Sequence, residues 1–211
     1  MIPHILIRTV PAITSPEVDV LWRRARDLHA DWDHFDYRDL LDPADFPISS
    51  PYWPLCGHGA QRAGLVRLEA LLNHGGIYID SDVHLFKPLD PLLQPKAWAA
   101  REGEWIIPDA VLGAEPMHPA IARALELAIQ RLRGTSGEPL SWQTDSGPWA
   151  TGPGAITTVF PDRDDTTVFG PELFYGEYCD PRPTLQERLE AFIADPPADA
   201  YGVHLWHWSW R

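Results

Sequence analysis

Two aspartates standing two positions apart, at the end of a short β-branched run, are the residues of this 211-residue chain best suited to chemistry. They close the stretch Gly75-Gly-Ile-Tyr-Ile-Asp-Ser-Asp82. Side chains alternate along a strand, so Asp80 and Asp82 point the same way if the extended backbone persists that far. Two like charges held close repel unless a cation lies between them. A hard divalent ion with oxygen ligands, Mg2+ or Mn2+, removes that penalty and can also carry substrate phosphates. The plain alternative is a solvated acidic turn, because Asp-Xaa-Asp triplets are common in loops. The elements around the pair decide between the two.

Ile2 to Ile7 reads as a buried strand, closed by Pro11. Glu17 to Ala30 has helical spacing, with Val20, Leu21, Ala25 and Leu28 as a stripe and Arg23, Arg24 and Asp27 outside it. Trp32 to Tyr37 alternates aromatic and polar residues and predicts a second strand. Gly59 to Asn73 predicts a helix with Leu65, Leu68 and Leu72 on one face, stopped by Gly75. Arg62 and Arg67 lie off that stripe, where a helix arginine is ordinarily solvated or salt-bridged. The next strand is predicted from Ile77 to about Val83. This strand, helix, strand, helix, strand order is that of an α/β fold. It puts the acidic pair at the carboxyl end of an inner strand, where open α/β sheets bind ligands.

The second half is less regular. Trp98 to Ala100, Ile106-Ile107 and Ala110 to Gly113 predict short strands. Pro119 to Arg131 predicts a helix, with Ile121, Leu125, Ala128, Ile129 and Leu132 at helical spacing and Gly134 ending it. Thr135 to Trp149 is rich in Gly, Ser and Pro, and a loop of that length is usually functional or disordered. Leu185 to Ile193 predicts a last short helix. With no repeat and no linker, residues 1–211 read as one domain.

A formal charge of -13 makes nucleic acid a poor partner, although a metal and a few basic groups would still let the chain hold a nucleotide. No apolar run is long enough for a transmembrane segment, no N-terminal signal core is present, and no basic amphipathic helix suggests a membrane surface. Cys56 and Cys179 lack metal-ligand spacing. A cytoplasmic protein with reduced thiols is the resulting expectation. Ten tryptophans can serve as core or as apolar platforms for sugars.

Four blocks in order carry a resemblance: Ala63-Gly-Leu-Val-Arg67, Gly75 to Asp82, Thr151-Gly-Pro-Gly154 and the ending His204 to Ser209-Trp210, preceded by the opening Ile2-Pro-His-Ile. Together the chain resembles the Asp-Xaa-Asp glycosyltransferases of the capsular-polysaccharide and initiating-mannosyltransferase type, with the clostridial glucosylating toxins more distant. The resemblance implies a glycosyltransferase-A fold, a UDP- or GDP-sugar donor, Mn2+ or Mg2+, and retention of anomeric configuration. It implies that Asp82 ligates the metal and that Asp80 contacts donor ribose and the metal shell. Arg67 would reach a donor hydroxyl or phosphate. His204, Ser209 and Trp210 would close over the diphosphate, with His204 or Ser209 completing the metal shell. Thr151, Gly152 and Pro153 would shape the acceptor side, where Trp142, Trp149 and Asp145 are further candidates; both tryptophans could equally lie over the core. Asp109 would stabilise positive charge at the reacting carbon. The acceptor would be a hydroxyl of a glycan, a lipid-linked sugar or a protein.

The chain departs from the family where Gly64 replaces a usual Asp and where Ile7 and Val10 replace a usual His and Trp of the first strand. Gly64 favours a catalytically impaired nucleotide-sugar-binding protein as one alternative. A metal-dependent nucleotide-sugar hydrolase is the other. A zinc site on His204 and His207 is disfavoured, since a strand would set the two on opposite faces and no third thiol or imidazole accompanies them. The alternation of Trp206, Trp208 and Trp210 fits packing along one face of a terminal strand.

Overall fold

The structure is a computed structural model that describes residues 1–39, 41–137, 148–161, 163–176 and 184–206. Strand β1, Ile5–Val10, is apolar and pairs in parallel with β2, Asp33–Arg38, from Ile5 opposite Asp33 to Val10 opposite Arg38. Helix α1, Pro16–Leu28, joins them. Ser15 caps it by accepting from the Val18 N–H, Pro16 stands where a missing N–H costs nothing, and Val18, Leu21, Trp22 and Ala25 turn inward.

Helix α2, Gly59–His74, is buried on more than its leucine face. One side lies on the sheet. The other meets helix α3, Pro119–Leu132, and the connector before α2, where the Glu69 carboxylate accepts the backbone N–H groups of Ile48 and Ser49, both at 2.8 Å. Gly75 ends α2 at φ 66°, and a Cβ there would lie 2.7 Å from Pro116, so the stop needs glycine twice over. Strand β3, Gly76–Ile79, then enters between β1 and β6.

Strands β4, Val83–Leu85, β5, Ala97–Ala100, β6, Val111–Ala114, β7, Thr167–Phe169, and β8, Gly202–His204, complete the set. The central sheet has six strands in the order β2-β1-β3-β6-β5-β7, parallel except where β6 runs against β3 and β5. β4 and β8 form a separate antiparallel ribbon. Helices α2, α3 and α4, Pro153–Val159, cover one face of the sheet. α1, the β4 region and Phe174, Tyr175 and Trp206 cover the other. Helix α5, Leu185–Ala194, carries a capping box between Thr184 and Glu187 and packs Leu189 and Phe192 against Leu21, Val203 and Leu205. No helix among the described residues is long and apolar enough to cross a membrane.

Three expected strands need correction. The first, read from Ile2 to Ile7, runs instead from Ile5 to Val10, the stretch that finds partners in β2 and β3. The predicted Ile77–Val83 strand stops at Ile79 and turns, with the Val83 N–H donating to the Asp80 carbonyl at 3.1 Å. It resumes as β4 because β8 offers a second pairing partner, and Leu205 N–H donates to the Asp82 carbonyl at 3.0 Å. Ile106-Ile107 is a loop; the Thr157 hydroxyl, in place of a neighbouring strand, accepts the Ile107 N–H at 3.0 Å.

Candidate active site

The turn after β3 brings together what an extended strand was expected to align. Asp80 stands just past the carboxyl end of β3, its N–H donating to the Ala110 carbonyl at 2.7 Å, and Asp82 lies across the turn. Tyr78, two residues earlier on the same strand face, donates its hydroxyl to Asp80 Oδ1 at 2.7 Å and is itself held at 2.7 Å by Thr9. Arg67 of α2 is buried, with its guanidinium 4.4 Å from the centre of the Tyr78 ring. Its Nη2 is 3.0 Å from Asp80 Oδ1, and its Nη1 is 2.8 Å from Asp109 Oδ2 and 2.6 Å from the Asp109 carbonyl. Asp80 Oδ1 is thereby occupied from within the protein.

Asp80 Oδ2 lies 4.0 Å from His204 Nε2, and Asp82 Oδ1 lies 3.2 Å from the same nitrogen. One ligand atom from each of Asp80, Asp82 and His204 falls within 4.8 Å of the others. His204 is brought there by the pairing of β8 with β4, which sets it opposite Val83. Its Nδ1 is buried with no hydrogen-bond partner among the described residues.

The cavity wall gathers Asp80, Asp82, Asp109 and Glu102 with Arg67, Arg38, Arg62 and, when protonated, His204. Burial, then the charges of Asp82 and Asp109, push Asp80 up to about 6 in spite of Arg67. Burial also raises Asp109 against the pull of Arg67. Burial presses His204 down, yet Asp82 and Asp80 outweigh it and leave it raised. Two carboxylate oxygens and one imidazole nitrogen within 4.8 Å of one another form a donor set that fits a divalent ion.

These groups face a cavity of about 540 Å³. Arg67, Asp80, Asp82, Asp109, Pro153 and His204 all line it, as do Val10, Tyr37 and Ala63. The other expected residues stand elsewhere. Thr151 is buried against α2, so that a Cβ on Gly64 would lie 2.8 Å from its carbonyl oxygen. Gly152 lies under the Asp109 carboxylate, 2.6 Å from Oδ2 to where a Cβ would be. Trp149 is half-buried with its indole over Gly154, and Ile7 is in the core. Trp142, Asp145, Ser209 and Trp210, with His207, Trp208 and Cys179, lie outside the described residues.

Tyr78, Thr9 and Glu102 belong to the site without having been singled out, and Trp206, read as packing along a terminal strand, belongs to it as well. Tyr78 was findable, since a period of two places it on the side of Asp80. Glu102 left no such signal: it comes from the loop after β5, and its carboxylate accepts from Trp206 Nε1 at 3.1 Å. Trp206 takes φ 48°, a left-handed backbone that bulky residues avoid, with its ring 4.8 Å from that of His204.

Comparison with known proteins agrees with this geometry. Residues 22–98 match the family described as "Glycosyltransferase sugar-binding region containing DXD motif". The chain is 30% identical over 129 residues to inositol phosphoceramide mannosyltransferase 3 of Schizosaccharomyces pombe, a match covering 59% of this chain and 36% of that protein. It is 28% identical over 131 residues to mannosyl phosphorylinositol ceramide synthase CSH1 of Saccharomyces cerevisiae, covering 60% and 35%. The chain thus spans about a third of the length of the curated relatives it matches. Among solved structures it is similar to the PaToxG glycosyltransferase, with a TM-score of 0.60 and 18% identity over 75% of this chain and 68% of the other. It is also similar to a glycosyltransferase involved in the glycosylation of the major capsid of PBCV-1, with a TM-score of 0.52 and 17% identity over 96% and 94%. Residues 22–98 thus match the sugar-binding region of the DXD-containing glycosyltransferases, and the fold around them is that of the glycosyltransferase-A class.

Proposed function

We propose that the protein is a metal-dependent, retaining glycosyltransferase that moves a hexosyl group from a nucleotide-diphosphate donor to a hydroxyl acceptor. The observation that carries this reading is the convergence of Asp80, Asp82 and His204 on one point of a cavity at the carboxyl end of β3. Asp82 and His204 would hold the ion from the β4–β8 ribbon and Asp80 from the central sheet. The oxygen-rich set suits Mn2+ or Mg2+, and the single imidazole favours Mn2+. When bound, the ion would neutralise the charge of the departing diphosphate.

The chain's own groups divide the remaining work. Arg67 and Tyr78 fix Asp80 Oδ1 and leave Oδ2 turned toward His204. Arg67 also pins Asp109 beside the cavity, where a fixed carboxylate would stabilise positive charge growing on the anomeric carbon. Val10 and Tyr37 offer the donor base an apolar wall, and Pro153 stands on the acceptor side. The chain continues past Trp206 toward Ser209 and Trp210, and we assign these to the diphosphate as the resemblance implies. The named relatives favour mannose as the transferred sugar.

The impaired-binding alternative drew its support from Gly64. That glycine has a packing reason, since a side chain there would strike Thr151, and Asp109 presents a carboxylate to Arg67 from the other side. The deciding experiment incubates the protein with Mn2+ and a panel of UDP- and GDP-sugars, with and without hydroxyl acceptors. Acceptor-dependent turnover, lost in Asp82→Ala, is the expected result. Turnover to free sugar alone would make the protein a hydrolase, and tight donor binding without turnover would make it a binding protein.

A further inference from the structure

The loop between β5 and β6, residues 101–110, has both its ends in the wall of the cavity, through Glu102 at one and Pro108 and Asp109 at the other. It is anchored on three sides. Arg101 N–H donates to Phe169 of β7 at 3.0 Å, Ile107 N–H donates to the Thr157 hydroxyl at 3.0 Å, and Trp206 Nε1 donates to the Glu102 carboxylate at 3.1 Å. Between these anchors the chain closes a tight turn. Glu102 N–H donates to the Ile106 carbonyl at 2.9 Å, the Arg101 guanidinium donates to the Glu104 carbonyl at 3.0 Å, and Gly103 takes φ 135°, a conformation open to glycine.

The turn holds Trp105 out in solvent, 78% exposed, with Ile106 beside it. Trp22, Trp32, Trp98 and Trp206 are buried, and Trp53 and Trp149 are half-buried; Trp105 is the one exposed tryptophan among the described residues. An indole left in water on a loop whose two ends line the cavity forgoes the burial that the others achieve. Its neighbours in the turn are the carboxylates of Glu102 and Glu104. A flat apolar ring bordered by hydrogen-bond acceptors matches a sugar, which offers a C–H face to the indole and hydroxyls to the acids. An anionic bilayer surface attracts Lys and Arg instead, and two apolar side chains are too few for a stable protein interface.

We infer that Trp105 is a platform for the acceptor: it stacks on a sugar ring that stays outside the cavity, while Glu104 accepts hydrogen bonds from that ring's hydroxyls. The inference rests on the transferase reading and adds to it the class of acceptor, a glycan of at least two rings.

The test compares the wild-type chain with Trp105→Ala and Trp105→Phe, in Mn2+ and nucleoside diphosphate, titrated with methyl hexosides and methyl dihexosides and followed by indole fluorescence. The dihexosides are expected to bind the wild type and Trp105→Phe, and to bind Trp105→Ala about tenfold more weakly, a change of one decade in dissociation constant. Monohexoside and nucleotide affinities are expected to stay within about twofold. In turnover the dihexoside KM should rise with kcat little changed, the pattern of lost uniform binding. Equal dihexoside affinity in all three proteins would overturn the inference, as would an equal loss of nucleotide affinity. So would Trp105-dependent sedimentation with phosphatidylcholine vesicles without any glycoside effect. Absence of donor turnover would defeat the transferase reading alone, because the fluorescence titration needs no turnover.

Discussion

The two halves of the candidate metal site are held in different ways. Asp80 belongs to the central sheet, and its Oδ1 is fixed by Arg67 and by a Tyr78–Thr9 relay that reaches back to β1. Asp109, just before β6, shares the same guanidinium. His204 belongs to a two-stranded ribbon, and the segment after it is tied by the Leu205 N–H to the Asp82 carbonyl and by Trp206 Nε1 to Glu102, with Trp206 at a strained φ of 48°. The sheet half is assembled whether or not a ligand is present. The ribbon half meets the sheet half at Asp82 and His204, so an ion shared by both would tie the two together.

Removing the clamp should have the largest effect on the sheet half. Arg67→Met leaves Asp80 and Asp109 buried without their cation and is expected to cost roughly 3–5 kcal/mol in denaturant unfolding. Adding Asp109→Asn should return part of that loss. A cost under about 1 kcal/mol would place Arg67 among exposed ion pairs and erase the contrast between the halves.

Asp82→Ala should act on the other side of the ledger. It removes a like charge as well as a ligand, so Mn2+ affinity is expected to fall by about 100-fold or more while metal-free stability holds or rises. Calorimetric titration and thermal unfolding of the same samples check both parts.

The pH response sharpens the comparison through its sign. Asp80 is raised from 3.8 to about 6, so its burial cost is absent below 3.8 and complete above 6. His204 is also raised from 6.5, so the stability it lends is full below that value and is lost as pH climbs through its folded value. Both shifts favour the metal-free fold in acid. Mn2+ needs both groups deprotonated, so the rise in Tm on adding Mn2+ should be larger at pH 7.5 than at pH 5. An equal rise at both would mean that neither group takes part.

The smallest expected effect is at the ribbon's tie. Trp206→Phe keeps the ring and loses the bond to Glu102, at about 1 kcal/mol of stability. Its Mn2+ affinity is expected to drop severalfold, and Tyr78→Phe on the sheet side should show the same loss if Asp80 Oδ1 needs its second partner.

Much of this was legible in local pattern. The leucine spacing and Gly75 placed α2 within one residue of its observed end, and the acidic pair stood out by residue type. Arg67 did not: a stripe argument assigns one buried face, and α2 is covered on two. Gly64 read as a missing carboxylate, although its position is filled by Thr151 from 87 residues further along the chain.

The amino-acid sequence alone determined the α/β alternation, the helix ends and the presence of two carboxylates at a strand's exit, because these follow from periodicity and backbone preference between near neighbours. The tertiary structure decided that the strand breaks between Ile79 and Val83, that Arg67 serves two acids, and that His204 completes the set. Each of those depends on which distant strand offers a hydrogen-bonding edge and on how much charge can be buried beside it, quantities that local pattern does not contain.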